Sequence, residues 1–145
     1  MMDVSVLVAR LQSQTQYTIE LARAREPNLQ ELAELPIIYI GYASIDSKNP
    51  SAPVEYDLFN QYGEDLVQSF DIQIVCNAAE LSSIWKKVYT ALIGYTPTAT
   101  LSSMASVSGF TYAQGGVMGM VNDRLWHLDR WRIGFPTTNV DFQAW

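Results

Sequence analysis

The chain has 145 residues, 48% of them apolar and 17% charged, with nine Lys and Arg against fifteen Asp and Glu and a net charge of −6. That length fits one domain with a substantial core. The acidic balance excludes the clustered cationic surface that holds nucleic acid irrespective of sequence. A single cysteine excludes an internal disulfide and, with one distant histidine, the usual three- or four-ligand zinc site.

Val4, Leu7, Val8 and Leu11 recur at helical spacing behind Asp3, a residue suited to an N-cap, so a helix is predicted over residues 3–15. Ile19, Leu21 and Ala22 extend that pattern until Pro27 closes it. Asn28 opens a short helix, NLQELAEL, with Leu29, Leu32 and Leu35 on one side and Glu31 at the capping-box position. After Pro36, the run IIYIGYASI (37–45) is apolar at both parities, as in a strand buried on both faces. Residues 46–64 carry two prolines and several turn formers, which predicts a long loop or splayed hairpin; such loops are usually functional or mobile.

DLVQSFDIQIVCN (65–77) alternates: Leu66, Phe70, Ile72, Ile74 and Cys76 share one parity, interrupted only by Gln68. Cys76 therefore reads as a small core residue. Asn77 and Glu80 form a second capping-box pattern before Leu81, Ile84, Trp85, Val88 and Leu92, one apolar stripe that must lie on a sheet or another helix. Gly94 and Pro97 stop this helix, and a Ser/Thr/Ala-rich connection covers 96–108. Two further strands, 109–121 and 124–135, are joined at Asn122-Asp123, where Asn tolerates hairpin dihedrals. Gly115, Gly116 and Gly119 would weaken the first of them or mark a bulge. Residues 136–145 have no periodicity and end in a terminal tail that is frayed or docked.

The stretch LWHLDRWRIGF (125–135) holds the lone histidine. On a strand, Leu125, His127, Asp129, Trp131, Ile133 and Phe135 face one way and Trp126, Leu128, Arg130 and Arg132 the other. His127 and Asp129 are then same-side neighbours about 7 Å apart, too far for a direct hydrogen bond unless the strand bends. No Ser, Thr or Cys is specified as a nucleophile. The expected reading is a rim histidine beside a packed tryptophan, with the arginines pairing acids on the outer face. GGVMG lacks the Lys-Ser/Thr of a phosphate loop and does not lead from a strand into a helix. The acidic residues Glu55, Asp57, Glu64 and Asp65 lack calcium-loop spacing and read as a solvated loop edge. Tyr56, Phe59 and Tyr62 recur every three residues, as one side of a helical turn or as interface anchors. Asp3 and Arg10 interrupt any leader-like apolar run, and no segment approaches the ~20 apolar residues of a membrane span. An intracellular chain, or one delivered by other means, is expected. The charged share lies below the roughly 25% usual for soluble domains. With the many Tyr and Trp residues, that suggests surface covered by neighbours in an oligomer.

The order of these elements resembles the tail terminator (tail completion) proteins of tailed bacteriophages, including those of Mu-like phages, over residues 3–135. The carriers are VSVLVARLQ, LPIIYIGY, DLVQSFDIQIVCNA leading into LSSIWKKVYTALIGYTP, and the closing GG…NDRLWHLDRWRIGF. The 46–64 loop is longer than the pattern suggests, and residues 136–145 are extra. The resemblance implies an α+β protomer: a small mixed or antiparallel sheet of about four strands, an N-terminal helix, one long amphipathic helix and a closing hairpin. It further implies a homohexameric ring, assembled in the host cytoplasm, that caps the tail tube in the virion, ends its polymerisation and offers a surface to the neck or head.

The partners implied are the tail tube protein, the tail sheath and a neck or head-completion protein, with DNA sliding through an acidic lumen unbound. The family brings no catalytic motif, cofactor or metal, so no enzyme activity is expected. Exposure and aromatic character nominate Tyr42, Asp46, Lys48, Tyr56, Phe59, Tyr62, Arg130, Arg132, Phe142 and Trp145 as interface residues. The competing readings are another tail or neck adaptor, a ligand-binding domain or enzyme using His127, Asp129 and Arg130, and an unrelated interaction module.

Overall fold

The computed structural model describes residues 2–22, 27, 29, 34–47, 54–55, 62–97 and 109–138. Helix α1 spans Val4–Thr15, capped by Asp3, whose carboxylate accepts the Ser5 N–H at 2.8 Å. It buries Val4, Leu7, Leu11 and Thr15 and stops at Gln16, which adopts φ 62°. The helical extension expected beyond residue 15 is a strand instead, β1 (Thr18–Leu21). The left-handed residue turns the chain out of the helix, and only Ile19 of the four β1 residues is buried. β1 pairs in parallel with β2 (Ile37–Ser47), Thr18 opposite Ile37 and Leu21 opposite Ile40. Most of the expected 28–35 helix, with Asn28 and Glu31, lies outside the described residues. Its described end, Glu34 onward, is a bend, and Leu29 is buried.

β3 (Val54–Glu55) and β4 (Tyr62–Asn77) follow, so part of the expected long loop is strand. β4 leads through a 3₁₀ turn, Ala78–Glu80, into α2 (Leu81–Leu92). The expected capping box is absent: Asn77 makes no side-chain cap bond, and the Ala78 N–H donates to the carbonyl of Asp123 at 2.7 Å. The hairpin turn thus satisfies one of the free N–H groups at the start of this turn. The stripe lies as expected, with Ile84, Val88, Ala91 and Leu92 buried and Leu81 and Trp85 packed against the same core. Each full burial of a Val, Leu or Ile contributes about 1.5–3 kcal/mol. Gly94, at φ 72°, ends the helix.

β5 (Thr111–Val121) and β6 (Arg124–Thr138) form the closing hairpin about Asn122, at φ 55°, and Asp123. β6 runs past residue 135 because its last residues still pair with β4, Pro136 opposite Asp65 and Thr138 opposite Gly63. β5 reaches only Arg132, so Pro136 sits where its missing N–H breaks no second ladder.

The fold is α+β. One mixed sheet runs in the order β1-β2-β4-β6-β5, with β3 also on β4. It is larger than the expected four strands because β1 and β3 join it. Both helices lie on one face, over Ile38, Ile40, Phe70, Ile72, Ile74, Leu125, Trp131 and Ile133. On the other face Ile37, Tyr39, Val75 and Leu29 make a smaller cluster with Trp126 packed against it, so β2 is buried on both faces at Ile37, Ile38, Tyr39 and Ile40, whereas Tyr42 and Ile45, in the same apolar run, are exposed. Gln68, the polar interruption in β4, is fully buried. Its amide accepts the Met2 N–H and donates to the Met2 carbonyl, both at 2.9 Å. The Tyr42 hydroxyl accepts the Val4 N–H at 2.9 Å. These bonds fix α1 to the sheet.

Candidate functional site

β6 is the central carrier of polar chemistry, and its two faces differ. On the helix side His127 Nε2 lies 2.8 Å from Asp129 Oδ1. The backbone spacing overstated their separation, because side-chain reach closes the gap between same-face neighbours. The Tyr112 hydroxyl donates to the same Asp129 oxygen at 3.2 Å. Above this carboxylate stands an aromatic roof. Trp85 and Tyr89 stack at 5.0 Å, Tyr112 meets Trp85 edge-on at 5.8 Å, and Trp131 lies 5.5 Å from Tyr89. Asp129 is completely buried. Burial raises its pKa above the ordinary carboxylate value, while the charge and hydrogen bond of His127, then the bond from Tyr112 and the nearby Trp85 indole, pull it back. Burial and the Asp129 charge likewise raise Tyr112.

Gly115 faces Asp129 in register. A Cβ there would collide with Asp129 Oδ1 and the Tyr112 hydroxyl. This glycine is therefore required by the carboxyl group that occupies its space, a reason its sequence context did not show.

A histidine oriented by a carboxylate is half of an acid–base device. The remaining nitrogen, His127 Nδ1, is buried with no hydrogen-bond partner among the described residues, and the side chain is only 12% exposed. A substrate has little access to it in this conformation. Burial and then the charge of Glu80 push the Cys76 thiol up to about 11, so it is a poor nucleophile. Among the described residues no three His, Cys, Asp or Glu side chains gather to hold a metal ion.

The opposite face carries the arginines. Arg130 pairs across the strands with Asp71, Nε to Oδ1 at 3.0 Å and Nη2 to Oδ2 at 3.4 Å, and its pKa is raised first by that hydrogen bond, then by the charges of Asp71 and Asp46. Trp126 donates its indole N–H to Gln73 at 2.9 Å. Arg132 is exposed, in register with Ser69 and Thr111. The structure thus places Arg130, Arg132 and Asp46 on one polar sheet face. Asp46 is exposed and accepts the Ser44 hydroxyl at 2.8 Å. Tyr42 is half-exposed on the helix side, its hydroxyl engaged with α1 and its ring 5.7 Å from Phe70. Tyr62 begins β4, opposite Glu55. Lys48, Tyr56, Phe59, Phe142 and Trp145 lie outside the described residues. Sequence reasoning missed the exposed apolar residues Leu21, Val117, Met118 and Met120, which sit at the two ends of the sheet. The signal for three of them was available: an apolar strand with no charge to guard it.

No protein-family model matches the chain, and no curated protein matches it. Among solved structures, a chain in the virion of a native gene transfer agent particle superposes with a TM-score of 0.52 at 16% sequence identity, covering 88% of this chain and 84% of that one. The two chains share a fold over most of their lengths. Among the described residues no helix is long and apolar enough to cross a membrane.

Proposed function

We propose that this chain is a structural subunit of a phage-like virion particle and, more finely, a tail terminator: a protomer of a hexameric ring that caps the tail tube and receives the neck. The observation that carries the reading is the fold shared over 88% of the chain with a component of a gene transfer agent virion. The order of sequence elements resembling the tail terminator family supports the finer statement. Shape and surface suffice for that role. The only Asp–His pair among the described residues is enclosed beneath Trp85, Tyr89 and Tyr112, consistent with a protein that makes and breaks no covalent bonds.

The test is to add the purified chain to tail tube protein during polymerisation and image the product. Short tubes bearing one extra ring at one end support the reading. Tubes of unchanged length with no added density reject it. Turnover of a small molecule that is lost in His127→Ala would instead establish the enzyme reading that the 2.8 Å His127–Asp129 bond favours.

A further inference from the structure

Among the described residues the sheet has two unpaired edges. β5 closes one end and pairs only with β6; β1 closes the other and pairs only with β2. Natural edge strands are guarded by lysines, prolines, inward-pointing charges, bulges or short length. β5, TYAQGGVMGMV, carries no charge and no proline, and its irregularities are confined to two register shifts. Val117, Met118 and Met120 are 52%, 57% and 57% exposed along it, and Leu21 on β1 is 60% exposed. Among the described residues, no backbone group of β5 bonds outward.

β5 shifts register against β6 twice, between Tyr112 and Gln114 and again between Val117 and Gly119. Between the shifts lies one regular run, Gln114–Val117, of four residues. β1 is also four residues long. Two of the four in β5 are glycines, and no side chain on either of them can reach across the edge. Strand direction agrees as well. β1 is parallel to β2, β2 antiparallel to β4, β4 antiparallel to β6 and β6 antiparallel to β5, so β1 and β5 run oppositely. A rotation axis along the strands preserves that relation between copies, and the junction is an antiparallel ladder, the more stable kind.

We propose that the outer edge of β5, centred on Gln114–Val117, takes the β1 edge of a second copy, so that one sheet continues from protomer to protomer. The contact joins unlike surfaces, which makes it head-to-tail and lets it close into a ring. Pairing β5 with another β5 would instead stop at two copies. This inference rests on the ring reading for its closure, though the edge contact is tested separately.

Two variants test it. Val117→Lys with Met118→Lys blocks the β5 edge, and Thr18→Lys with Leu21→Lys blocks the β1 edge. All four side chains are exposed, and an unchanged thermal midpoint and circular dichroism spectrum verify the fold. Mass is read by light scattering. The expected result is wild type near six times 16.3 kDa, each variant alone at 16.3 kDa, and the two mixed as a one-to-one dimer through the remaining intact edges. A hexameric wild type whose variants also form hexamers overturns the edge contact and leaves the ring reading standing. A heterodimer from the mixture, with a wild type that forms open chains, supports the edge contact and rejects the ring. Dimers from the β1-blocked variant alone show β5 pairing with itself and overturn the proposal. So does a wild type that stays monomeric at high concentration.

Discussion

Asp129 is the residue on which most of the local chemistry turns. Its carboxyl fills the volume that a side chain at position 115 would need. Gly115→Ala is therefore expected to destabilise the fold by about 1–3 kcal/mol, as overpacking usually does. Gly116→Ala, next to it but with nothing within 4 Å of the added methyl, should change little. Urea midpoints of the two variants check this, and equal midpoints would remove Asp129 from that space. The raised Asp129 pKa gives a pH dependence of definite sign. The folded state holds this proton more tightly than the unfolded state, so the contribution is full below the unfolded value of 3.8 and is lost as pH rises through the folded value. Measured from pH 3.5 upward, wild type should lose ground to Asp129→Asn. A difference that is flat, or that grows in favour of wild type, would mean that His127 and Tyr112 outweigh burial.

Among the elements, α1 depends most on polar contacts that the sequence hid. Its apolar spacing predicted the helix and its cap, because both are local patterns. Gln68, 66 residues away from Met2, appeared only as a break in the β4 alternation, and nothing local named its partner. Gln68→Ala strands the Met2 N–H and carbonyl in a buried site, at a cost of about 1–3 kcal/mol. Amide exchange should quicken first across residues 2–6 rather than in α2. Uniform acceleration over both helices would show that the clamp is no more than general packing. The same contrast explains the capping box. Asn77 and Glu80 have the right spacing, yet Asn77 makes no side-chain cap bond, and the Asp123 carbonyl, brought in by the hairpin, takes the neighbouring Ala78 N–H. β1 was misread for the opposite reason: Ile19, Leu21 and Ala22 satisfy a helical period, but the turn at Gln16 and the waiting edge of β2 decide otherwise.

For the whole molecule, the class and helix stripe were legible because alternation and 3.6-residue spacing survive in a single sequence. The sheet's breadth, and the way its ends are exposed, were not legible, because pairing between distant strands leaves no local period. The same limit applies to where the domain ends. Pro136 looked like the start of a tail, whereas residues 136–138 are three rungs of the β4–β6 ladder. Truncation separates strand from tail. A chain ending at Thr138 should keep the wild-type urea midpoint, since every described rung remains. A chain ending at Phe135 should lose about 1–3 kcal/mol, from a few ladder bonds worth about 0.5–1.5 kcal/mol each. If Phe142 and Trp145 reach a neighbouring subunit or the neck, the Thr138-ended chain will fold normally but fail to join tails. Normal joining by that shorter chain would confine assembly to the domain and leave the sheet edges and the polar Arg130 face as the surfaces that carry it.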